Sequence, residues 1–121
     1  MRGVECTLTI LLAATLLAGV GVAAQQVISD SEAASHVGQT VTVEGSVASV
    51  HVTRSGTTFL NFGSGYSNQT FTAVIFRSNA TRFPNPSQWE GKRVRVSGQI
   101  RLYRGKPEVV LENASQLIAA P

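Results

Sequence analysis

The chain has 121 residues, enough for one domain, and it carries a net formal charge of +3 with 43% hydrophobic residues. Its single cysteine, Cys6, excludes an intrachain disulfide and a zinc site built from several cysteines. The positive charge is concentrated, because the segment from Arg77 to Lys106 holds eight of the ten Lys and Arg residues and one acidic residue, Glu90. Such a segment can bind polyanions, or it can be a solvated strand face.

The first 24 residues differ from the rest of the chain. Arg2 precedes an apolar run from Leu8 to Val22, and the small residues Ala23 and Ala24 come just before Gln25. This order is typical of a secretory signal peptide. A retained transmembrane anchor is the alternative, since the run is near the lower limit of about 17 residues for a span. We predict a signal peptide over residues 1–24 and a single domain over 25–121. The protein is then periplasmic or secreted, with no membrane span after cleavage.

The domain begins with a predicted short helix and a long strand. Ser29 and Glu32 have the spacing of a capping box, which predicts a helix from Asp30 to His36. The segment Thr40 to Val52 then alternates between apolar and polar residues, as a strand does. Gly45 in its middle predicts a bend or bulge that lets the strand curl.

A β-hairpin rich in aromatic residues follows. The runs Thr57–Phe62 and Thr70–Arg77 are apolar, and the glycine-bearing segment Gly63–Gln69 joins them. Alternation divides each strand into two faces, and one face of each must fill the core. On the first strand Leu60 and Phe62 oppose Phe59 and Asn61, and on the second Phe71, Ala73 and Ile75 oppose Thr72, Val74 and Phe76.

The last third of the chain predicts a second hairpin. The pattern fails from Ser78 to Gly91, where Pro86–Glu90 can form a turn or two of helix. A strand is predicted from Lys92 to Tyr103, then a tight turn at Arg104–Gly105. A last strand runs from Lys106 to Asn113, and Gln116–Ile118 can extend it. On the Lys92–Tyr103 strand one face is apolar and the alternate face is mostly basic and polar; the apolar face holds Val94, Val96, Gly98, Ile100 and Leu102.

The order of these elements is that of an all-β fold, the five-stranded OB-fold β-barrel. Three stretches of the chain are HVGQTVTVEGSV, FLNFGSGYSNQTFTAVIF and GKRVRVSGQIRLYRGKPEVVL. They resemble a group of bacterial extracytoplasmic OB-fold domains of the nucleic-acid-binding type, which stand alone or are fused to secreted nucleases. The resemblance spans Ser29 to Leu117 and is to the accessory domain, not to a catalytic one.

The sequence contains no motif that supports a catalytic site or a metal site. Neither His36 nor His51 belongs to a motif that would place it beside a carboxylate and a serine. The carboxylates are scattered, and the glycines at Gly63 and Gly65 are not followed by the lysine of a phosphate-binding loop. We therefore expect no enzyme activity, no metal and no cofactor.

Binding is the remaining function. OB-folds bind ligands on the face of the second and third strands, between two flanking loops, and single strands need cations with stacking rings. We predict a module that binds single-stranded nucleic acid or another polyanion, in which the basic candidates contact phosphates and the two tyrosines stack on bases. The candidates are Arg54, Tyr66, Arg93, Arg95, Arg101, Tyr103, Arg104 and Lys106. A protein-interaction domain and an oligosaccharide-binding domain are the alternatives.

Overall fold

The computed structural model describes residues 25–64 and 68–121. The predicted signal peptide, residues 1–24, and the candidate Tyr66 lie outside the described residues. Within the described part, no helix is long and apolar enough to cross a bilayer. Its strands are β1 (Val27–Ser29), β2 (Thr40–Val52), β3 (Thr58–Phe62), β4 (Phe71–Ile75), β5 (Arg93–Gln99), β6 (Arg101–Tyr103), β7 (Lys106–Val110) and β8 (Leu117–Ala119). Short 3-10 helices cover Asp30–His36, Arg77–Arg82, Pro86–Trp89 and Ala114–Gln116.

The predicted helix at Asp30–His36 is confirmed, as a 3-10 helix. Its capping box forms, since the backbone N–H of Ser29 donates to Oε1 of Glu32 at 2.9 Å. This bond favours the charged form and lowers the pKa of Glu32 below its ordinary value. Ala33 is the buried residue of the helix and joins the core.

Strand β2 has the predicted bounds, but Gly45 does not have the predicted role. Gly45 pairs regularly with Val94, whereas the register shift falls between Val47 and Ser49. The predicted bulge is therefore not at Gly45 but lies beyond it, in the part of β2 that has changed partner from β5 at Ser46 to β3 at Val47. The glycine instead makes room for Asp30, because a Cβ at position 45 would lie 2.6 Å from Asp30 Oδ1.

The strands form one sheet in the order β6-β7-β4-β3-β2-β5-β8, and β1 pairs in parallel with β2. Strands β4 and β7 are parallel, and the other neighbours in this order are antiparallel. The hydrogen-bonded ladder is open, but Ile100 links β5, beside β2, directly to β6, beside β7. This partly open barrel confirms the predicted OB-fold, with β5 and β6 as its divided fourth strand.

Two predicted strands differ from the structure. The Lys92–Tyr103 strand is divided at Ile100, where the backbone bonds to Gly38 and Gln39 end the pairing with β2 and the pairing of Arg101 with β7 begins. Beyond this division Leu102 is 54% exposed whereas Val94 and Val96 are fully buried, so the prediction that Leu102 shares their face is wrong. The last strand ends at Val110, and residues 117–119 form the separate strand β8 beside β5 and do not extend β7.

One face of the first hairpin fills the core. Leu60, Phe62, Phe71, Ala73 and Ile75 are all fully buried. The rings of Phe62 and Phe71 meet edge to face, with centroids 5.1 Å apart. Burying a side chain of this size contributes about 1.5–3 kcal/mol. The alternate residues of the two strands consequently face outward, toward the loops.

Candidate nucleic-acid interface

A row of polar residues crosses the outward face of the sheet. Register pairs Ser49 on β2 with Asn61, Asn61 with Thr72, Thr72 with Glu108, and Glu108 with Arg101. We call these five residues the polar row. Although the row lies on the outer side of the barrel, Asn61 is only 2% exposed, and Thr72 and Glu108 are each 5% exposed. The row is therefore the floor of a depression and not an open surface.

Hydrogen bonds fix the side chains of the polar row. The Thr72 hydroxyl donates to Asn61 Oδ1 at 3.4 Å, and Asn61 Nδ2 donates to Ser49 Oγ at 3.2 Å. At the other end, Arg101 Nε and Nη2 donate to Glu108 Oε2 at 2.7 and 2.6 Å. Charge-assisted bonds of this length are among the stronger ones in proteins, so the Glu108 carboxylate is held in place.

The depression is a groove of about 710 Å³, called here the main groove. Its floor includes four members of the polar row, and its walls come from the end of β2, the segment after the β3–β4 loop and the β6–β7 hairpin. The lining residues are Ser49, Val50, His51, Thr53, Phe59, Asn61, Gln69, Thr72, Tyr103, Arg104, Lys106, Pro107 and Glu108. This size is typical of a ligand site.

A second depression of about 280 Å³, called here the side groove, adjoins the main groove. The two share Thr53, Phe59, Tyr103 and Glu108. The side groove is also lined by Phe76, which is 40% exposed, and by Arg101, whose guanidinium lies 6.0 Å from the Phe76 ring centroid. Phe59 and Tyr103 thus stand where the two grooves meet.

The β6–β7 turn presents cations beside these rings. Tyr103 pairs with Lys106, and the two residues between them both have positive φ, 53° for Arg104 and 78° for Gly105. This is the geometry of a type I′ turn, so the predicted tight turn is confirmed. The Arg104 guanidinium lies 5.2 Å from the centroid of the Tyr103 ring, within cation–π range.

The structure brings four of the eight candidate residues together. Tyr103, Arg104 and Lys106 line the main groove, and Arg101 lines the side groove with Tyr103. Arg54 is exposed in the turn after β2, between Thr53 and Ser55, which line the grooves. Tyr66 belongs to the residues that are not described.

Arg93 and Arg95 lie elsewhere, on β5, and line neither groove. Both reach Glu44 on β2, Arg93 at 3.0 Å and Arg95 at 2.8 Å. The hydrogen bond from Arg95 is the main reason that the pKa of Glu44 lies below its ordinary value. These two arginines therefore already serve a carboxylate on another face of the barrel.

Sequence reasoning did not identify Asn61, Thr72 and Glu108 as site residues. The signal was present for Asn61 and Thr72, since each is a polar residue inside an apolar strand, opposite residues that fill the core. Among the described residues, no group of three or more His, Cys, Asp and Glu side chains could hold a metal ion.

No family model and no curated protein matches the chain. Solved structures do resemble it. It aligns with a chain assigned as an aspartyl-tRNA synthetase from Leishmania major Friedlin, with a TM-score of 0.51 and 12% identity over 88% of its own length. It also aligns with the aspartyl-tRNA synthetase from Entamoeba histolytica, with a TM-score of 0.50 and 12% identity over 93%. The chain spans 23% and 25% of those two proteins, and at such identity the likeness concerns the fold alone.

Proposed function

We propose that this chain is a non-enzymatic module that binds single-stranded nucleic acid across the main and side grooves. The observation that carries the proposal is the placement of Phe59 and Tyr103 at the junction of the grooves, beside the cations of the β6–β7 turn. The grooves also occupy the face and loops by which OB-folds bind oligonucleotides.

The rings supply the part of the affinity that does not depend on charge. Tyr103 is 50% exposed and Phe76 is 40% exposed, so both offer accessible ring faces to a base. Stacking on an aromatic side chain contributes about 1–3 kcal/mol per base and tolerates any sequence. Two or three such contacts fit a short stretch of a flexible strand.

The cations supply the part that depends on salt. Arg104 stands at the rim of the main groove, Lys106 lines it, and Arg54 stands on the turn across from them. Contacts from these side chains to phosphates release counterions, so the logarithm of the binding constant falls by about 0.7 per contact and per logarithmic unit of salt.

The test is fluorescence anisotropy with the purified protein and a labelled mixed-sequence DNA strand of about ten nucleotides, within the usual site size of an OB-fold. We expect binding at low salt that weakens with a slope of about −2, as for three phosphate contacts. Tyr103→Ala should weaken binding about tenfold, which corresponds to one lost stack.

Ile118→Ala is the matched control, because Ile118 is as exposed as Tyr103 but lies on β8 and lines neither groove. It should bind as the wild type does. No binding at low salt would reject the proposal. Binding without salt dependence would contradict the proposed phosphate contacts, because each such contact releases counterions.

We also propose that the module works outside the cytoplasm, in the periplasm or after secretion. The support is the apolar run from Leu8 to Val22 with Ala23 and Ala24 after it. Mass spectrometry of the exported protein should find an N-terminus at Ala24 or Gln25. A full-length chain that is retained in the membrane would contradict the cleavage.

A further inference from the structure

We propose that the main groove prefers bases that carry an exocyclic amino group, so that it binds cytosine more tightly than thymine. Glu108 and Gln69 provide the acceptors for that group. The inference rests on the proposed function and names the class of base that the same site takes.

The first acceptor is the Glu108 carboxylate. Glu108 lines both grooves. Its side chain is only 6% exposed and forms an ion pair with Arg101. The contacts from Arg101 Nε and Nη2 go to one oxygen of the carboxylate, Oε2. An ionised carboxylate only accepts hydrogen bonds, and its two oxygens can take several of them.

The second acceptor is the side chain of Gln69. Within residues 25–64 and 68–121, its Oε1 is buried and accepts no hydrogen bond, and the residue lines the main groove. A buried polar atom without a partner is costly, so a rotation of the half-buried Gln69 side chain that brings its amide oxygen to a donor on the ligand is favoured. Gln69 thus provides a hydrogen-bond acceptor, as Glu108 does, from a different part of the chain.

The donors on the groove floor are largely used within the polar row. The Thr72 hydroxyl donates to Asn61, and Asn61 Nδ2 donates to Ser49. Of the four polar-row residues on the floor, Glu108 alone is charged, and its carboxylate only accepts hydrogen bonds, so a base edge with donor groups complements it. Cytosine presents its N4 amino group, which Glu and Asp side chains accept, whereas thymine presents the O4 acceptor at the same position.

The Glu108 carboxylate also favours one orientation of the bound oligonucleotide. A phosphate near Glu108 would meet a like charge in a site of reduced solvent access, which is unfavourable. The cations at the rim, Arg104 among them, attract phosphates instead. The bases consequently face the floor and the phosphates face the rim, which places the amino groups next to Glu108.

The experiment compares labelled oligo-dC and oligo-dT of equal length with the purified protein at neutral pH, by anisotropy. These two strands differ in the base edge and share the pyrimidine ring, so stacking is nearly matched. We expect oligo-dC to bind about tenfold more tightly, the discrimination of one good side-chain contact to a base. In Glu108→Gln the amide can donate to thymine O4, so the ratio should fall to near one as affinity for oligo-dT rises.

Glu112→Gln is the control, because it removes the same charge from an exposed residue that lines neither groove. It should keep the preference for oligo-dC. A second variant, Gln69→Leu, leaves the ion pair intact and should narrow the ratio without abolishing it, which keeps the test valid if Glu108→Gln does not fold.

The outcomes are separable. If neither oligonucleotide binds, both the proposed function and this inference are overturned. If oligo-dT binds as tightly as oligo-dC or more tightly, the inference alone is overturned. It is also overturned if Glu108→Gln and Glu112→Gln change both affinities equally, because only net charge then acts.

Discussion

Arg104 occupies a backbone conformation that suits few side chains. Its φ of 53° lies in the left-handed region, where a residue with a Cβ is disfavoured by about 1–2 kcal/mol. Glycine or asparagine is the usual residue at this position of a type I′ turn. The side chain projects at the rim of the main groove and stacks on Tyr103. A strained residue that displays a charge beside rings is consistent with a binding role.

Replacing Arg104 separates stability from binding. Arg104→Gly removes both the strain and the charge, so we expect the free energy of unfolding to rise by up to about 1 kcal/mol while oligonucleotide affinity falls. Arg104→Ala removes the charge and keeps the Cβ, so its affinity should fall equally without the gain in stability. Urea denaturation and anisotropy on both variants check this. Equal stability of the two variants would show that the turn is not strained.

At the scale of elements, strands with strong alternation were predictable and their irregularities were not. The bounds of β2 follow from its alternating pattern. The role of Gly45 does not, because it depends on Asp30, a residue from a different element that packs against it. The division at Ile100 likewise depends on backbone bonds to Gly38 and Gln39, which no local pattern encodes.

Of the candidate site, the β6–β7 hairpin was predictable from the sequence and the groove floor was not. The β6–β7 hairpin was found because a type I′ turn flanked by basic and aromatic residues has a local signature. The floor was not found, because it depends on register between strands far apart in sequence. Thr72 on β4 meets Glu108 on β7 through a parallel pairing, which no turn specifies. A polar residue in an apolar strand marks the place, but only the fold shows what it faces.

At the scale of the molecule, the basic residues divide between two faces of the barrel. Arg93 and Arg95 pair with Glu44 across β5 and β2, whereas Arg101, Arg104 and Lys106 line the grooves. The net charge does not distinguish these two groups of basic residues. The prediction from sequence did not distinguish them either, because it assigned both groups to phosphate contacts. The structure instead places one pair of arginines against Glu44 and the other basic residues beside the grooves, where we propose that the ligand binds.

Two substitutions with the same change of charge test this division. Arg95→Gln should leave oligonucleotide affinity within about twofold of the wild type, because a charge on another face of the barrel is mostly screened at physiological salt. Arg104→Gln should weaken binding and make the salt slope shallower by about 0.7, as for one lost phosphate contact. Anisotropy at several salt concentrations measures both quantities.

Stability should respond in the opposite order. Arg95→Gln removes the main partner of Glu44 and should lower the denaturation midpoint at neutral pH, whereas Arg104→Gln should not. Because the pKa of Glu44 is lowered in the folded state, its pairing stabilises the protein above the ordinary value of 4.5 and ceases to do so as the pH falls through the lowered pKa. The difference in denaturation midpoint between wild type and Arg95→Gln should therefore shrink in acid.

The binding measurements can contradict the division of the basic residues. If Arg95→Gln weakens oligonucleotide binding as much as Arg104→Gln does, the ligand contacts both faces, and its path extends beyond the two grooves.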